Sequence, residues 1–269
     1  MKPPVVLKLG GELLEQPHDV QHVAEGIAAL AARTALVVVH GGGKEIDAAL
    51  ATAGIPKQQV DGLRVTDART LDVVVAVLAG AINTRLVAAV RKAGGKPVGL
   101  TGADASVVTV RRATPIASVA GPKVDLGLVG LPVNNGAPKL LNDLLARGYL
   151  PIVACLGATR DGQLLNVNAD TLASHLAIQL GARRLIIAGG TAGVLDAAGQ
   201  TIERLTARGA AQLIKTGTAS KGMVAKLEAC RAALRKGVGD VVIANGRGIA
   251  FDTLAGIRAP LPGCTQVVR

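Results

Sequence analysis

The sequence predicts an α/β protein built on a largely parallel, buried sheet. Three observations carry this expectation. Short β-branched runs alternate with Ala- and Leu-rich helical stretches along the chain. Of 269 residues, 49% are apolar and 18% charged, with a mean hydropathy of +0.41, which is ample material for a core and little for disorder. No repeat of fixed period, low-complexity tract or Ser/Pro-rich linker interrupts it, so the two halves are expected to share one continuous sheet.

Taken in order, the first strand is Val5–Leu9, followed by a helix at roughly 20–32, a strand at 35–39 and a helix at 44–53. A long helix is expected over 67–93, with Thr66 as N-cap and Gly94 where helix-ending glycines stand. A strand at 97–100 follows. The stretch 107–129 then changes character: Gly121-Pro122 between Ser118-Val119 and Val124-Asp125 predicts β-hairpins rather than another crossover. Beyond it come a helix at 137–146, a strand at Leu150–Ala154, and a helix at 169–180 stopped by Gly181. A strand at 184–188, a helix at 223–235 and strands at 240–244 and 265–268 complete the chain.

Composition excludes several function classes. The longest nearly unbroken apolar stretches, 73–82 and 185–195, contain glycines and fall short of the ~18 residues that span a bilayer, so no membrane association is expected. Met1 leads straight into a strand without a charged and then apolar leader, and a cytoplasmic location is expected. Cys155, Cys230 and Cys264 show no CxxC spacing and read as small buried hydrophobes rather than a zinc site or disulfide framework. The 30 Lys and Arg against 19 Asp and Glu give +11. Tyr149 and Phe251 are the only aromatics, which speaks against a single-stranded nucleic-acid binder. A phosphorylated small molecule or an acidic protein partner suits the charge instead.

Neither GxxxxGK[ST] nor GxGxxG is present. The glycines instead follow strands in pairs. Lys8-Leu9-Gly10-Gly11 follows the first strand, and His40-Gly41-Gly42-Gly43-Lys44 follows the second and opens a helix. One glycine pair is commonly a turn, but two at equivalent positions converge outside the strands' carboxyl ends and cradle an anion. A second cluster, Leu165-Asn166-Val167-Asn168-Ala169-Asp170, enters a helix; its amides and carboxylate read either as caps or as donors and an acceptor for a polar substrate. A third, 217–226, is a polar turn that enters a helix with Lys226 one turn in.

The blocks KLGG (8–11), HGGGKEID (40–47), DGLRVTDA (61–68), GLTGADA (99–105), VDLGLVG (124–130), NDLLARGYLPIVA (142–154), LNVNAD (165–170) and GMVAK (222–226) closely resemble the amino acid kinase family over almost the whole chain. Within that family they resemble the branch that phosphorylates N-acetyl-L-glutamate. The resemblance implies a single domain, an open three-layer α/β/α sandwich with a mainly parallel central sheet, divided into an N-lobe of about 1–155 on the substrate side and a C-lobe of about 156–269 on the ATP side. It also implies a homodimer, and MgATP-dependent phosphorylation of the side-chain carboxylate in arginine biosynthesis.

Position by position, the resemblance makes Lys8 and Lys226 the lysines that hold the transferring phosphoryl group, with Asp170 orienting them. Gly10 and Gly11 would contact ATP phosphates, and Gly42 and Gly43 the transferring phosphate and substrate. Arg64 would pair bidentately with a substrate carboxylate, and Asn166 and Asn168 would hold the substrate. Gly193 and Ser220 fall on the nucleotide side, and Mg2+ would be carried by the nucleotide rather than by protein ligands. Transfer is expected to be direct and in line; the attacking carboxylate is already ionised, so no general base is needed and His40 reads as structural. Lys8→Ala and Lys226→Ala are expected to abolish most turnover and leave the fold intact.

The sequence departs from the family pattern at Gly190, where an Asp is usual, and at Lys221, where Asp or Gly is usual. Three other readings remain open: a kinase for an amino acid on an acidic carrier protein, a kinase for an N-succinyl amino acid, and a catalytically weak ligand-binding regulator.

Overall fold

The computed structural model describes residues 2–60, 62–117, 121, 123–196, 198–219, 221–255 and 263–269. Strand β1 (Val5–Leu9) leads into α1 (Pro17–Arg33), β2 (Leu36–His40) into α2 (Gly43–Thr52), and a small hairpin, β3 (Gln59–Val60) and β4 (Leu63–Arg64), into α3 (Ala68–Val75). Helix α3 runs on through a π-helical segment, Ala76–Ile82, into α4 (Asn83–Lys92) and then β5 (Pro97–Thr101). Next are β6 (Val110–Arg112), β7 (Ile116–Ala117), β8 (Lys123–Val124), β9 (Val129–Pro132) and α5 (Lys139–Ala146). Strands β10 (Leu150–Ala154), β11 (Leu156–Ala158) and β12 (Leu164–Val167) precede α6 (Ala169–Gln179). Then come β13 (Arg184–Gly189), β14 (Arg204–Thr206), α7 (Ala207–Lys215), α8 (Lys221–Arg235), β15 (Asp240–Asn245) and β16 (Cys264–Val268).

Eight strands form one sheet in the order β14-β16-β15-β13-β1-β2-β10-β5. Every neighbouring pair is parallel except β15 and β16. The central strands β1 and β2 are buried along their whole length, which is why they read as unbroken apolar runs. Strand order reverses direction beside β1, so right-handed crossovers place α1 and α4 on one face and α6 and α8 on the other. Strands from both halves of the sequence share this sheet and one core, as expected.

A smaller sheet, β11-β12-β9-β6, lies beside the ends of the large one. The hairpin expectation holds here: β6 and β9 are antiparallel, as are β7 and β8. Ser118, Val119 and Pro122 lie outside the described residues. Gly94 (φ 88°) and Gly181 (φ 57°) adopt the left-handed conformation expected of helix stops.

Three expectations are corrected. Helix α1 starts at Pro17 rather than Val20, with proline in its first turn, where the missing N–H costs nothing. The cap of α3 is Asp67, whose side chain accepts from Thr70 N at 2.7 Å; Thr66 is fully buried and exchanges backbone hydrogen bonds with Leu126 and Leu128 instead. The apolar stretch at 73–82 belongs to a continuous helix, Ala68–Lys92, of 25 residues, whose most apolar 18 residues have a mean hydropathy of 2.1, so that it is long and apolar enough by length and composition to cross a membrane. Leu71, Val74, Leu78, Ile82, Leu86 and Val90 of this helix are buried in the core, while Ala76, Gly80, Ala81, Thr84 and Ala88 face outward. Cys155, Cys230 and Cys264 are buried and free, as expected.

Candidate active site

The site lies at the carboxyl ends of the central strands, where open α/β sheets bind ligands. Lys8 sits within β1, and its Nζ lies 2.9 Å from Asp170 Oδ1, with the two side chains only 8% and 9% exposed. Burial pushes the Lys8 pKa down, but the Asp170 charge outweighs it and the net shift is upward, so the ammonium stays charged. Asp170 lies in the first turn of α6. The helix is capped by Asn168, whose Oδ1 accepts from Asp170 N at 2.9 Å and Thr171 N at 3.0 Å. That cap fixes the backbone carrying the carboxylate.

The glycine loops touch one another. Gly10 N donates to Ala188 O at 2.8 Å and Gly41 N to Leu9 O at 3.3 Å, which sets the ends of β13, β1 and β2 side by side. A Cβ on Gly11 would come within 2.8 Å of Gly43 N, and one on Gly42 would run into Ile82 Cδ1. Around Gly43 the space is open, and α2 starts there, aiming its first N–H groups at the crevice.

Along the opposite wall, Gly190 N donates to Glu12 Oε1 at 2.9 Å, and the Glu12 carboxyl lies against Gly10 so closely that a Cβ there would clash with it. Arg247 Nη2 donates to Glu12 O at 2.6 Å.

A cavity of about 180 Å³ opens between the loops, lined by Gly42, Gly43, Arg64, Cys155, Asn166 and Asn168 among others. The Arg64 side chain is 8% exposed. Its Nη2 donates to Asp47 Oδ1 and to Gly43 O at 3.3 Å, while Nη1 is buried with no partner among the described residues. Both Nη2 hydrogens are therefore engaged within the chain, which leaves the buried Nη1 as the terminal nitrogen still lacking an acceptor there. Asn166 Nδ2 donates to Thr66 Oγ1 at 3.3 Å.

His40 closes the floor. Asn83 Nδ2 stands 3.1 Å from its Nε2, and its Nδ1 lies 3.2 Å from Gly41 O. Burial lowers its pKa to about 4, so it is neutral, with Nδ1–H donating to Gly41 O. Burial likewise pushes the Cys155 thiol far up, leaving no thiolate in the cavity.

The fold thus gathers Lys8, Asp170, Gly10, Gly11, Gly42, Gly43, Arg64, Asn166 and Asn168 at one end of the sheet. Residues 3–245 match the amino acid kinase family. The chain belongs to that family.

Curated relatives of this amino acid kinase include the acetylglutamate kinase of Sorangium cellulosum, 45% identical over 243 residues, covering 87% of this chain and 84% of that protein. The acetylglutamate kinase of Afipia carboxidovorans is 41% identical over 250 residues, covering 90% and 84%. Among solved structures, N-acetylglutamate synthase from Neisseria gonorrhoeae, complexed with coenzyme A and N-acetyl-glutamate, superposes with a TM-score of 0.83 at 25% identity. It covers 99% of this chain, which spans only 59% of the synthase. Carbamate kinase from Giardia lamblia bound to AMP-PNP shares the fold, with a TM-score of 0.68 at 16% identity over 99% of this chain and 98% of that one.

In this amino acid kinase the remaining expected residues stand further off. Lys226 lies on α8, which packs on α6 through the Ser174 hydroxyl, donating to Ala229 O at 3.0 Å. Its Nζ is 3.4 Å from Gly222 O, and it forms no ion pair with Asp170 among the described residues. Gly193 (φ 81°) lies in the turn after β13, where a Cβ would press within 2.8 Å of Thr265 N. Ser220 lies outside the described residues.

Two residues of the kinase site escaped the sequence reading, Glu12 and Asp47. Glu12 directly follows the first glycine pair, and Asp47 is four residues beyond Gly43 on one helical face.

Proposed function

We propose that the chain acts as an acetylglutamate kinase, transferring the γ-phosphoryl group of ATP to the side-chain carboxylate of N-acetyl-L-glutamate to give N-acetyl-L-glutamyl 5-phosphate, the second step of arginine biosynthesis. The observation that carries this reading is the buried Lys8–Asp170 pair standing beside two joined glycine loops, with Arg64, whose Nη1 has no partner among the described residues, lining the adjoining cavity.

Arg64 Nη1 meets the substrate α-carboxylate, and Asn166 and Asn168 donate to its polar groups. A side-chain carboxylate oxygen attacks the γ-phosphorus while the bond to the bridging oxygen breaks, and ADP leaves with that electron pair. No proton is transferred. Lys8 and the N–H groups around Gly10, Gly11, Gly42 and Gly43 neutralise the equatorial oxygens, and Lys226 joins them by leaving the Gly222 carbonyl. Asp170 holds Lys8 in place. Gly193 and Ser220 belong to the nucleotide side.

The crevice fits a nucleotide that brings its own Mg2+: Glu12 places an acidic side chain at the wall between Gly10 and Gly190. When bound, the cation would neutralise phosphate charge. Two copies pair through the outward face of Ala68–Lys92, an apolar helix along which Ala76, Gly80, Ala81, Thr84 and Ala88 are exposed. The protein works in the cytoplasm.

The test is a hydroxylamine trap for acyl phosphate with MgATP, offering N-acetylglutamate, N-succinylglutamate and glutamate in parallel. Hydroxamate should form with N-acetylglutamate far faster than with the other two. Hydroxamate from N-succinylglutamate alone would move the assignment to that substrate, and none from any of the three would remove the kinase reading.

A further inference from the structure

Asp47 does not itself line the cavity, yet it decides how Arg64 enters the site. It lies on α2, one turn beyond Gly43, and is 27% exposed. Its two oxygens have separate partners. Oδ1 accepts from Arg64 Nη2, while Oδ2 accepts from Lys57 Nζ at 2.7 Å. Burial pushes the Asp47 carboxyl up, but the hydrogen bonds from Lys57 and Arg64 outweigh it and hold its pKa below the usual carboxylate range. It is therefore a carboxylate at any pH where the protein works.

A free guanidinium on a two-residue hairpin arm would have several rotamers and two equivalent terminal nitrogens. Here the backbone of Arg64 is held by the β3–β4 hairpin, and its Nη2 is held twice, by Asp47 and by Gly43 O at 3.3 Å. What remains is Nη1, buried without a partner among the described residues, on a side chain that lines the cavity. A buried charged nitrogen left without an acceptor is costly unless a ligand supplies one.

We infer that Asp47 is a positioning residue that fixes the Arg64 guanidinium so that Nη1 alone is presented to the substrate carboxylate, with Lys57 anchoring Asp47. This rests on Arg64 being the carboxylate-binding residue of the proposed kinase reaction. Asp47 acts on substrate binding and not on phosphoryl transfer. Its loss therefore weakens one substrate and spares the other, whereas a general loosening of the fold would move both.

The experiment is steady-state kinetics on the full-length protein with Asp47→Ala, Asp47→Asn, Arg64→Ala and the Asp47→Ala/Arg64→Ala double variant. Asp47→Ala should raise KM for N-acetylglutamate by about tenfold or more, lower kcat less than about threefold and leave KM for ATP within about twofold. Asp47→Asn, which keeps an acceptor oxygen, should recover most of the lost affinity. In the double variant, the Asp47 change should add almost nothing to the Arg64 loss, since the two act through one contact.

If Arg64→Ala raises KM and Asp47→Ala does not, or if the two losses multiply, the positioning role is wrong while the substrate site stands. If Arg64→Ala itself leaves KM unchanged, the substrate reading fails first. Equal rises in KM for both substrates would mark a structural defect and overturn the inference.

Discussion

Lys8 and Asp170 hold opposite charges 2.9 Å apart with both side chains almost buried, so neither can be removed alone without leaving the other unpaired. That changes what Lys8→Ala should do. Turnover should fall by roughly two to three orders of magnitude, as when a charge-stabilising donor is lost. The fold should also weaken, by about 3 kcal/mol or more, because the Asp170 carboxylate loses its partner in a buried setting. Lys226 is different, since among the described residues its Nζ reaches only Gly222 O on its own helix. Lys226→Ala should reduce turnover similarly and leave the thermal midpoint near that of the parent. Turnover and melting measured on both variants separate the two lysines; equal melting shifts would contradict this account of the pair. Sequence showed both lysines but not the burial that distinguishes them, because burial depends on what α6 brings across from far along the chain.

At the scale of elements, β2 is bound to the long helix by one buried contact, Asn83 Nδ2 to His40 Nε2 at 3.1 Å, with Asn83 also donating to Ile152 O of β10 at 3.1 Å. The contact requires a neutral imidazole. With its pKa lowered from 6.5 to about 4, His40 contributes stability that is fully present above about pH 6.5 and is lost as pH falls toward 4. The full amount is on the order of 3 kcal/mol. Urea midpoints at about pH 7 and about pH 4.5 should therefore differ in the parent, and the difference should shrink in His40→Gln. An unchanged difference would place the titrating group elsewhere. Elements buried on both faces were legible in the sequence because burial forces apolar runs such as 36–39. Those at the margins were not: β14 is three residues long with exposed Arg204 and Thr206, and α7 carries Gly209 and buries only Ala210. Glu12 and Asp47 escaped for a related reason. Each works by bridging two loops, and bridging is a property of the fold that spacing alone does not express.

The molecule as a whole leaves one long surface of small residues uncovered. Ala76, Gly80, Ala81, Thr84 and Ala88 face outward along Ala68–Lys92, and a Cβ added at Gly80 would meet nothing within 4 Å. Light scattering should report a mass near twice 27.1 kDa, and Gly80→Glu with Ala88→Glu should halve it while the fold persists. A parent that runs at the mass of one chain would remove the dimer. Most of the +11 charge has no partner in the site, so it is the part of the composition that the fold explains least. The π-helical segment Ala76–Ile82 sets a different kind of constraint, since its Ile82 and Leu78 press directly on Gly42. The wide π turn absorbs an extra residue, whereas inserting one residue between Ile82 and Asn83, where ordinary winding resumes, would rotate everything beyond it by about 100°. Asn83 would leave His40, and Arg85 would leave the Leu14 carbonyl, to which it donates at 3.0 Å. Substitutions in this segment change only volume, whereas an insertion where it meets α4 would reset the phase of α4. Across lineages the spacing between the second glycine loop and this helix should therefore drift in composition but not in register.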